Sequence, residues 1–303
     1  MTITLCCCAL LLMLALARAL PGSAAEPAAG IQPDLKDHPY GPNPRHVLDL
    51  YKAPSTSPTP LVVFIHGGGF LKGDKTVVHK KLELARLLQA GISCASINYR
   101  FSSEAICPAS MQDGARAVQY LRGKAGEWNL DPERFACSGG SAGAGISMWI
   151  GFRDDQADPR SADPVARAST RLACVAVFEG QCSYDPRWIK DHLPEDSYLN
   201  GALPKLFGIR PDEILNPPAE KARLMEESAA LNLVSASAPP TYLVYSRSLE
   251  DPKGDIHHPN HGKHLKAKMD RLGVECVLVT EDNRARMETL ADFLIRQLKG
   301  TQG

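Results

Sequence analysis

The stretch Phe135-Ala-Cys-Ser-Gly-Gly-Ser-Ala-Gly-Ala-Gly-Ile-Ser147 leaves this chain few ways to fold, because a short apolar strand runs directly into a helix through a turn with Ser141 at its apex. Gly139, Ser141 and Gly143 fit G-x-S-x-G, in which small flanking residues let the backbone bend sharply without steric clash. Such a turn exposes the Ser141 hydroxyl and aims the N–H of Ala142 at the same space. Taken alone, the pentapeptide also describes any closely packed strand–turn–helix. Its neighbours decide its meaning.

Leu61-Val-Val-Phe-Ile-His-Gly-Gly-Gly-Phe70 is an unbroken apolar run ending in three glycines, as expected of a buried parallel strand that delivers a loop to the carboxyl edge of a sheet. His-Gly-Gly-Gly is the oxyanion motif of lipases and esterases, where glycines let backbone N–H groups approach a developing oxyanion. Ile97-Asn-Tyr-Arg-Phe101 follows, then Pro108 and a helix from about Ala109. With these motifs in this order, the chain from about Arg45 to about Gln297 resembles the hormone-sensitive-lipase-like and carboxylesterase branch of the α/β-hydrolase superfamily. The resemblance implies Ser141 as nucleophile, with Gly68, Gly69 and Ala142 as oxyanion donors, and needs no cofactor.

The rest of the chain agrees with an α/β fold. Strands expected at Ile92–Tyr99, Leu172–Phe178, Thr241–Tyr245 and Val274–Thr280 alternate with helical patterns, the mark of a mostly parallel sheet covered on both faces. Residues 26–44 are rich in proline and glycine and read as a surface arm. Arg45–Tyr51 alternates like a half-buried strand at the antiparallel edge, and Lys75–Ala90 has helical spacing. More than fifty residues separate the strands ending at Phe178 and beginning at Thr241, and a cap over the site is expected within residues 181–238. One hydrolase domain thus spans residues 26–303.

Lysine and arginine number 34 against 34 aspartates and glutamates, so no charge excess draws the chain to nucleic acid or anionic lipid, and a small-molecule ester is the expected partner. Residues 1–25 read as a signal peptide, with a short apolar run before Ser23-Ala-Ala25 and no stable membrane span after cleavage. Secretion or periplasmic export follows, with an uncleaved membrane anchor as the alternative. Of the cysteines beyond that segment, Cys94, Cys137, Cys174 and Cys276 fall in core strands. Cys107 and Cys182 fall in loops and are the pair expected to cross-link after export.

A serine nucleophile needs a base. The family places its histidine after the last strand, yet no histidine follows His264. The histidines available lie in Asp255-Ile-His-His-Pro-Asn-His-Gly-Lys-His264, which starts on the catalytic edge of the sheet. His258 or His257 is therefore expected to act from a shifted position. A solvated cluster without function, or a metal site built from His257, His261 and His264, are the other readings. For the acid, the family places an aspartate soon after the strand that ends here at Tyr245. That position selects Asp251, with Glu250, Asp255 and Glu179 as further candidates. The leading expectation is an exported serine hydrolase of carboxylic esters. A degenerate hydrolase that only binds a ligand is the alternative, and a peptidase lacks any recognisable acidic pair to grip a free amino terminus.

Overall fold

The structure, a computed structural model, describes residues 30–300, so the expected signal peptide lies outside the described residues. Among the described residues one sheet of eight strands forms in the order β1-β2-β4-β3-β5-β6-β7-β8. The strands are β1 (Leu35–Pro39), β2 (Val47–Tyr51), β3 (Thr59–Ile65), β4 (Ser93–Ile97), β5 (Leu130–Gly140), β6 (Cys174–Phe178), β7 (Thr241–Val244) and β8 (Cys276–Val279). From β4 through β8 every pairing is parallel, and β2 runs antiparallel to both of its neighbours. This is the α/β-hydrolase fold.

β3 is buried along its whole length, which its sequence Thr-Pro-Leu-Val-Val-Phe-Ile requires, since helices cover both faces and no residue of the run is polar enough to face water after Thr59. It sits at the centre, with Ile65 opposite Ile97 on one side and Gly139 on the other. The HGGG loop and the Ser141 turn therefore leave the sheet side by side. The helix Ala142–Phe152 is buried at every position, and the helix Ala109–Gly123 packs Met111, Ala115 and Val118 inward at the spacing that its sequence predicts.

Three local expectations are corrected. β2 is not the edge, because Leu35–Pro39, expected in the surface arm, pairs outside it. Asp49 of β2 meets the buried Lys75 ammonium at 2.9 Å, and Asp37 of β1 meets it at 2.7 Å. The Lys75–Ala90 helix is broken, since Leu82 turns extended (φ −121°, ψ 142°) to bury its side chain and the helix restarts at Leu84.

Cys107 and Cys182 do not cross-link. Both are buried and free, Cys107 beside the Met111 thioether at 3.8 Å and Cys182 beside His261 Nδ1 at 3.6 Å, in separate apolar clusters. Burial pushes the Cys107 thiol up to about 12. All six described cysteines are expected to resist alkylation in the native protein and to react completely after denaturation without reductant, as read by peptide mass mapping. A Cys107–Cys182 cross-linked peptide would contradict this.

Two buried histidines tie the fold to pH. His66 lies stacked on Tyr99 (4.4 Å between ring centroids), and His261 is stacked on Trp188 (5.4 Å). Burial lowers His66 to about 4, and burial together with the neighbouring His257, His258 and His264 lowers His261 to about 3. Each therefore takes up a proton more readily unfolded than folded. Stability is complete above the ordinary histidine value of about 6.5 and falls as pH drops from there toward 4, by at most about 1.4 kcal/mol per pH unit for each group. Unfolding midpoints in urea measured between pH 7 and 4.5 should fall, and His261→Phe should make the dependence shallower.

Candidate active site

Ser141 holds a left-handed backbone (φ 53°, ψ −118°), a conformation that costs a residue other than glycine about 1–3 kcal/mol and persists only where the surroundings impose it. The surroundings are backbone. A Cβ on Gly139 would lie 2.4 Å from the Ile65 carbonyl oxygen, and one on Gly143 would lie 2.0 Å from the same atom. The turn is thus pressed against the end of β3, and only glycine at both flanks permits the contact. Gly145 serves the next layer, since a Cβ there would strike the Tyr184 hydroxyl at 1.7 Å.

The HGGG loop is shaped by the same crowding. Gly68 takes φ 120°, with the Lys72 carbonyl oxygen 1.9 Å from where a Cβ would stand. His66 donates from Nδ1 to the Gly67 carbonyl at 2.7 Å, and its own carbonyl accepts from the Tyr99 hydroxyl at 2.9 Å. Gly68, Gly69, Ser141 and Ala142 line one cavity of about 290 Å³. Ala142 opens the helix Ala142–Phe152, so its N–H belongs to the positive end of that helix.

His257 Nε2 lies 2.9 Å from Ser141 Oγ. On the far side of the ring, Asp255 Oδ1 lies 3.0 Å from Nδ1 and also accepts the His257 backbone N–H at 2.6 Å. A carboxylate accepts, so Nδ1 carries the proton and Nε2 presents its lone pair to the serine hydroxyl. The structure thus brings Ser141, His257 and Asp255 into one hydrogen-bonded line, with acid and base two residues apart.

His258 and Asp251 take other places. His258 is buried, its Nε2 bonded to the Asp251 carbonyl at 2.9 Å and its Nδ1 accepting from the Asn260 N–H at 3.2 Å, so it closes the turn that leads into the helix Asn260–Arg271. The Asp251 carboxylate is held by Arg247 Nε at 2.7 Å and by the Lys253 N–H at 3.0 Å. The Arg247 guanidinium and the Lys253 amide keep that carboxyl below the usual aspartate range. Another nitrogen of the same guanidinium lies 3.7 Å from Asp255, so Asp251 meets the triad only through Arg247. Among the described residues no histidine, cysteine, aspartate and glutamate side chains converge as a metal site: His257 meets Ser141, whereas His261 and His264 both pack against the Trp188 ring. The Glu179 carboxylate accepts the Ser246 N–H at 2.8 Å. The loop after β8, empty of histidine, carries Asp282, which accepts from Ser248 at 2.6 Å and from the Leu249 N–H at 3.0 Å, and so braces the loop that leads to Asp255.

Asp255 is the carboxylate that the structure sets beside His257, where position after β7 points to Asp251. Its signal was present in the sequence: an aspartate two residues before a histidine can cap the backbone of the same turn.

The cavity over Ser141 is closed by the segment between β6 and β7, which forms the helices Pro186–His192, Ala202–Phe207 and Ala219–Ser228. Leu203 and Leu206 line the chamber and, with Phe207 and Ile189, join the same apolar cluster as the sheet residues Leu61 and Ile65.

Residues 48–253 match the BD-FAE family model, a span that contains the HGGG loop and Ser141 and stops short of Asp255 and His257. The chain is 26% identical over 222 residues to the esterase LipQ of Mycobacterium tuberculosis, covering 71% of this chain and 48% of LipQ. It is 32% identical over 194 residues to a probable isoprenylcysteine alpha-carbonyl methylesterase of Oryza sativa subsp. japonica, covering 63% and 46%. The chain spans about half the length of these curated relatives. In fold it is similar to a carbohydrate esterase from gut microbiota in truncated form (TM-score 0.67, 20% identity, 90% of this chain and 99% of that one). It is likewise similar to an acetyl ester-xyloside bifunctional hydrolase from Caldicellulosiruptor lactoaceticus (TM-score 0.62, 24% identity, 77% and 76%).

The contact of Gly143 with the Ile65 carbonyl yields a direct test. Gly143→Ala should be destabilised by about 3 kcal/mol or more or fail to fold, because the clash is with backbone that cannot rotate away. Thermal unfolding of the purified variant reads it, and an unchanged midpoint would count against the geometry.

Proposed function

The chain belongs to the BD-FAE family, within the carboxylesterase branch of the α/β-hydrolases, and from that premise we propose that it hydrolyses carboxylic esters through an acyl-enzyme. The observation that carries the reading is the line Ser141 Oγ, His257 Nε2, Nδ1 and Asp255 Oδ1, with bonds of 2.9 and 3.0 Å. In the proposed cycle His257 takes the serine proton as Oγ attacks the acyl carbon. The amides of Gly68, Gly69 and Ala142 receive the charge that develops on the carbonyl oxygen, and losing one such donor costs about 3–4 kcal/mol. His257 then returns the proton to the departing alkoxide. Water, deprotonated by the same ring, releases the acid and restores Ser141. Asp255 holds the ring in the tautomer with Nε2 free and stabilises the imidazolium formed in both steps. The LipQ name and the esterase titles of the solved relatives support this class of bond.

Hydrolysis of p-nitrophenyl acetate and labelling by a fluorophosphonate test the reading. Ser141→Ala and His257→Ala should each lower kcat by about four orders of magnitude or more, without additivity in the double variant, because the pair acts as a unit. Asp255→Asn should lose most of the activity as well, since an amide no longer fixes the tautomer. If His257→Ala keeps full activity while Ser141→Ala does not, the base is elsewhere. If the wild type neither hydrolyses the ester nor takes the label, the chain is a binding protein on a hydrolase fold.

A further inference from the structure

Gln181 is 2% exposed and has no part in the proposed cycle, yet it lines the chamber of about 290 Å³ together with Ser141, Ile256 and His257. A side-chain amide taken out of water is costly unless its hydrogen bonds are replaced. Gln181 Nε2 finds two acceptors, the Glu179 carbonyl at 2.9 Å and the Ile256 carbonyl at 3.4 Å. Both are carbonyl oxygens, so it is the nitrogen of the amide that faces them.

The two carbonyls belong to the two halves of the site. Glu179 follows β6, whose end is locked to the nucleophile: Gly140 pairs with Phe178, and the Ser141 N–H donates to the Phe178 carbonyl at 3.1 Å. β7 holds the same stretch from the other side, since the Glu179 N–H donates to the Val244 carbonyl at 2.8 Å and the Tyr245 hydroxyl to the Gly180 carbonyl at 2.6 Å. Ile256 is the residue that joins Asp255 to His257. Asp255 orients the ring within its own turn, but a bond inside the turn cannot fix how far the turn stands from Ser141. Burial does not fix it either, because the Asp255 and His257 side chains are 42% and 35% exposed. The ties from the Gly254 N–H to the Glu195 carboxylate (2.8 Å) and from the His258 ring to the Asp251 carbonyl (2.9 Å) hold the loop on either side of the pair. The Gln181 amide holds it between them.

We propose that Gln181 is a positioning residue for the base: its amide clamps the Asp255-Ile256-His257 turn to the end of β6 and so sets the reach of His257 Nε2 to Ser141 Oγ. The inference rests on the ester-hydrolase reading. Glutamine suits the task because one uncharged nitrogen donates to both carbonyls, whereas an ionised glutamate of the same shape would turn acceptors toward them. A reacting group displaced by about 1 Å can lose roughly a hundredfold in rate.

The test is a double-mutant cycle on p-nitrophenyl acetate hydrolysis with Gln181→Met, which conserves volume and removes the donors. With His257 present, kcat and kcat/KM should fall together by about tenfold to a hundredfold, KM staying within about twofold, as for an interaction that counts only in the transition state. Fluorophosphonate labelling of Ser141 should slow by a similar factor. In the His257→Ala background no base is left to position, so the same substitution should change the residual rate by less than about twofold. A residue that merely walled the chamber would cost the same factor in both backgrounds. That result overturns the inference, as does an unchanged kcat or a loss confined to KM. Urea unfolding midpoints report whether each variant is folded, and Gln181→Glu repeats the comparison where Gln181→Met does not fold. Failure of both to fold makes Gln181 a residue of the core alone and overturns the inference too. Each of these outcomes leaves the hydrolase reading standing, whereas a wild type that neither hydrolyses the ester nor takes the label overturns both.

Discussion

The contact of one backbone on another, the Ser141 turn against the carbonyl of Ile65, is the constraint from which the rest of the site follows. Two glycines pass within the space a single Cβ would fill, and the serine between them is forced into a left-handed conformation. Because Ile65 is also the last residue of β3, the chain leaves that contact as His66 and enters the glycine loop at once. The nucleophile and the loop beside it are therefore set in register by the sheet itself, through the pairing of Ile65 with Gly139. No side chain has to find another for this to happen.

The base side of the site is built differently. Asp255 and His257 belong to one turn, and Asp255 Oδ1 binds both the backbone and the ring of His257, so the acid positions the base locally. The turn in turn is pinned from several directions. His258 is buried beneath it, Asn260 donates to the His192 carbonyl in the helical segment at 2.8 Å, and Asp282 holds the preceding loop from the end of β8. The loop after β8 thus supports the triad instead of contributing to it.

This contrast explains what the sequence revealed. Ser141 and the glycines of both motifs were legible because their demand is steric and local: a strand, a turn that only glycine allows, a helix. The alternation of apolar strands with helical patterns made the parallel sheet legible in the same way. His257 and His258 were not separable, since adjacent residues in a turn face opposite sides and the sequence does not record which side meets Ser141. Asp251 stood where position alone would put an acid, but a guanidinium four residues earlier claims it. Cys107 and Cys182 lie in loops by pattern and in the core by packing, each buried in an apolar cluster of its own. Lys75–Ala90 carried a helical period that the burial of Leu82 interrupts.

That same segment has a mechanical consequence. Leu203, Leu206, Phe207 and Ile189 share an apolar cluster with β3, so swinging the segment away would expose core, at roughly 25 cal/mol for each Å² uncovered. A hinged flap that opens on an oil droplet has a dry, separable underside, and this roof has none. The chamber beneath it is a vestibule of about 290 Å³ whose walls are part of the core, so the size of any group it admits is set by the packing that holds the sheet together.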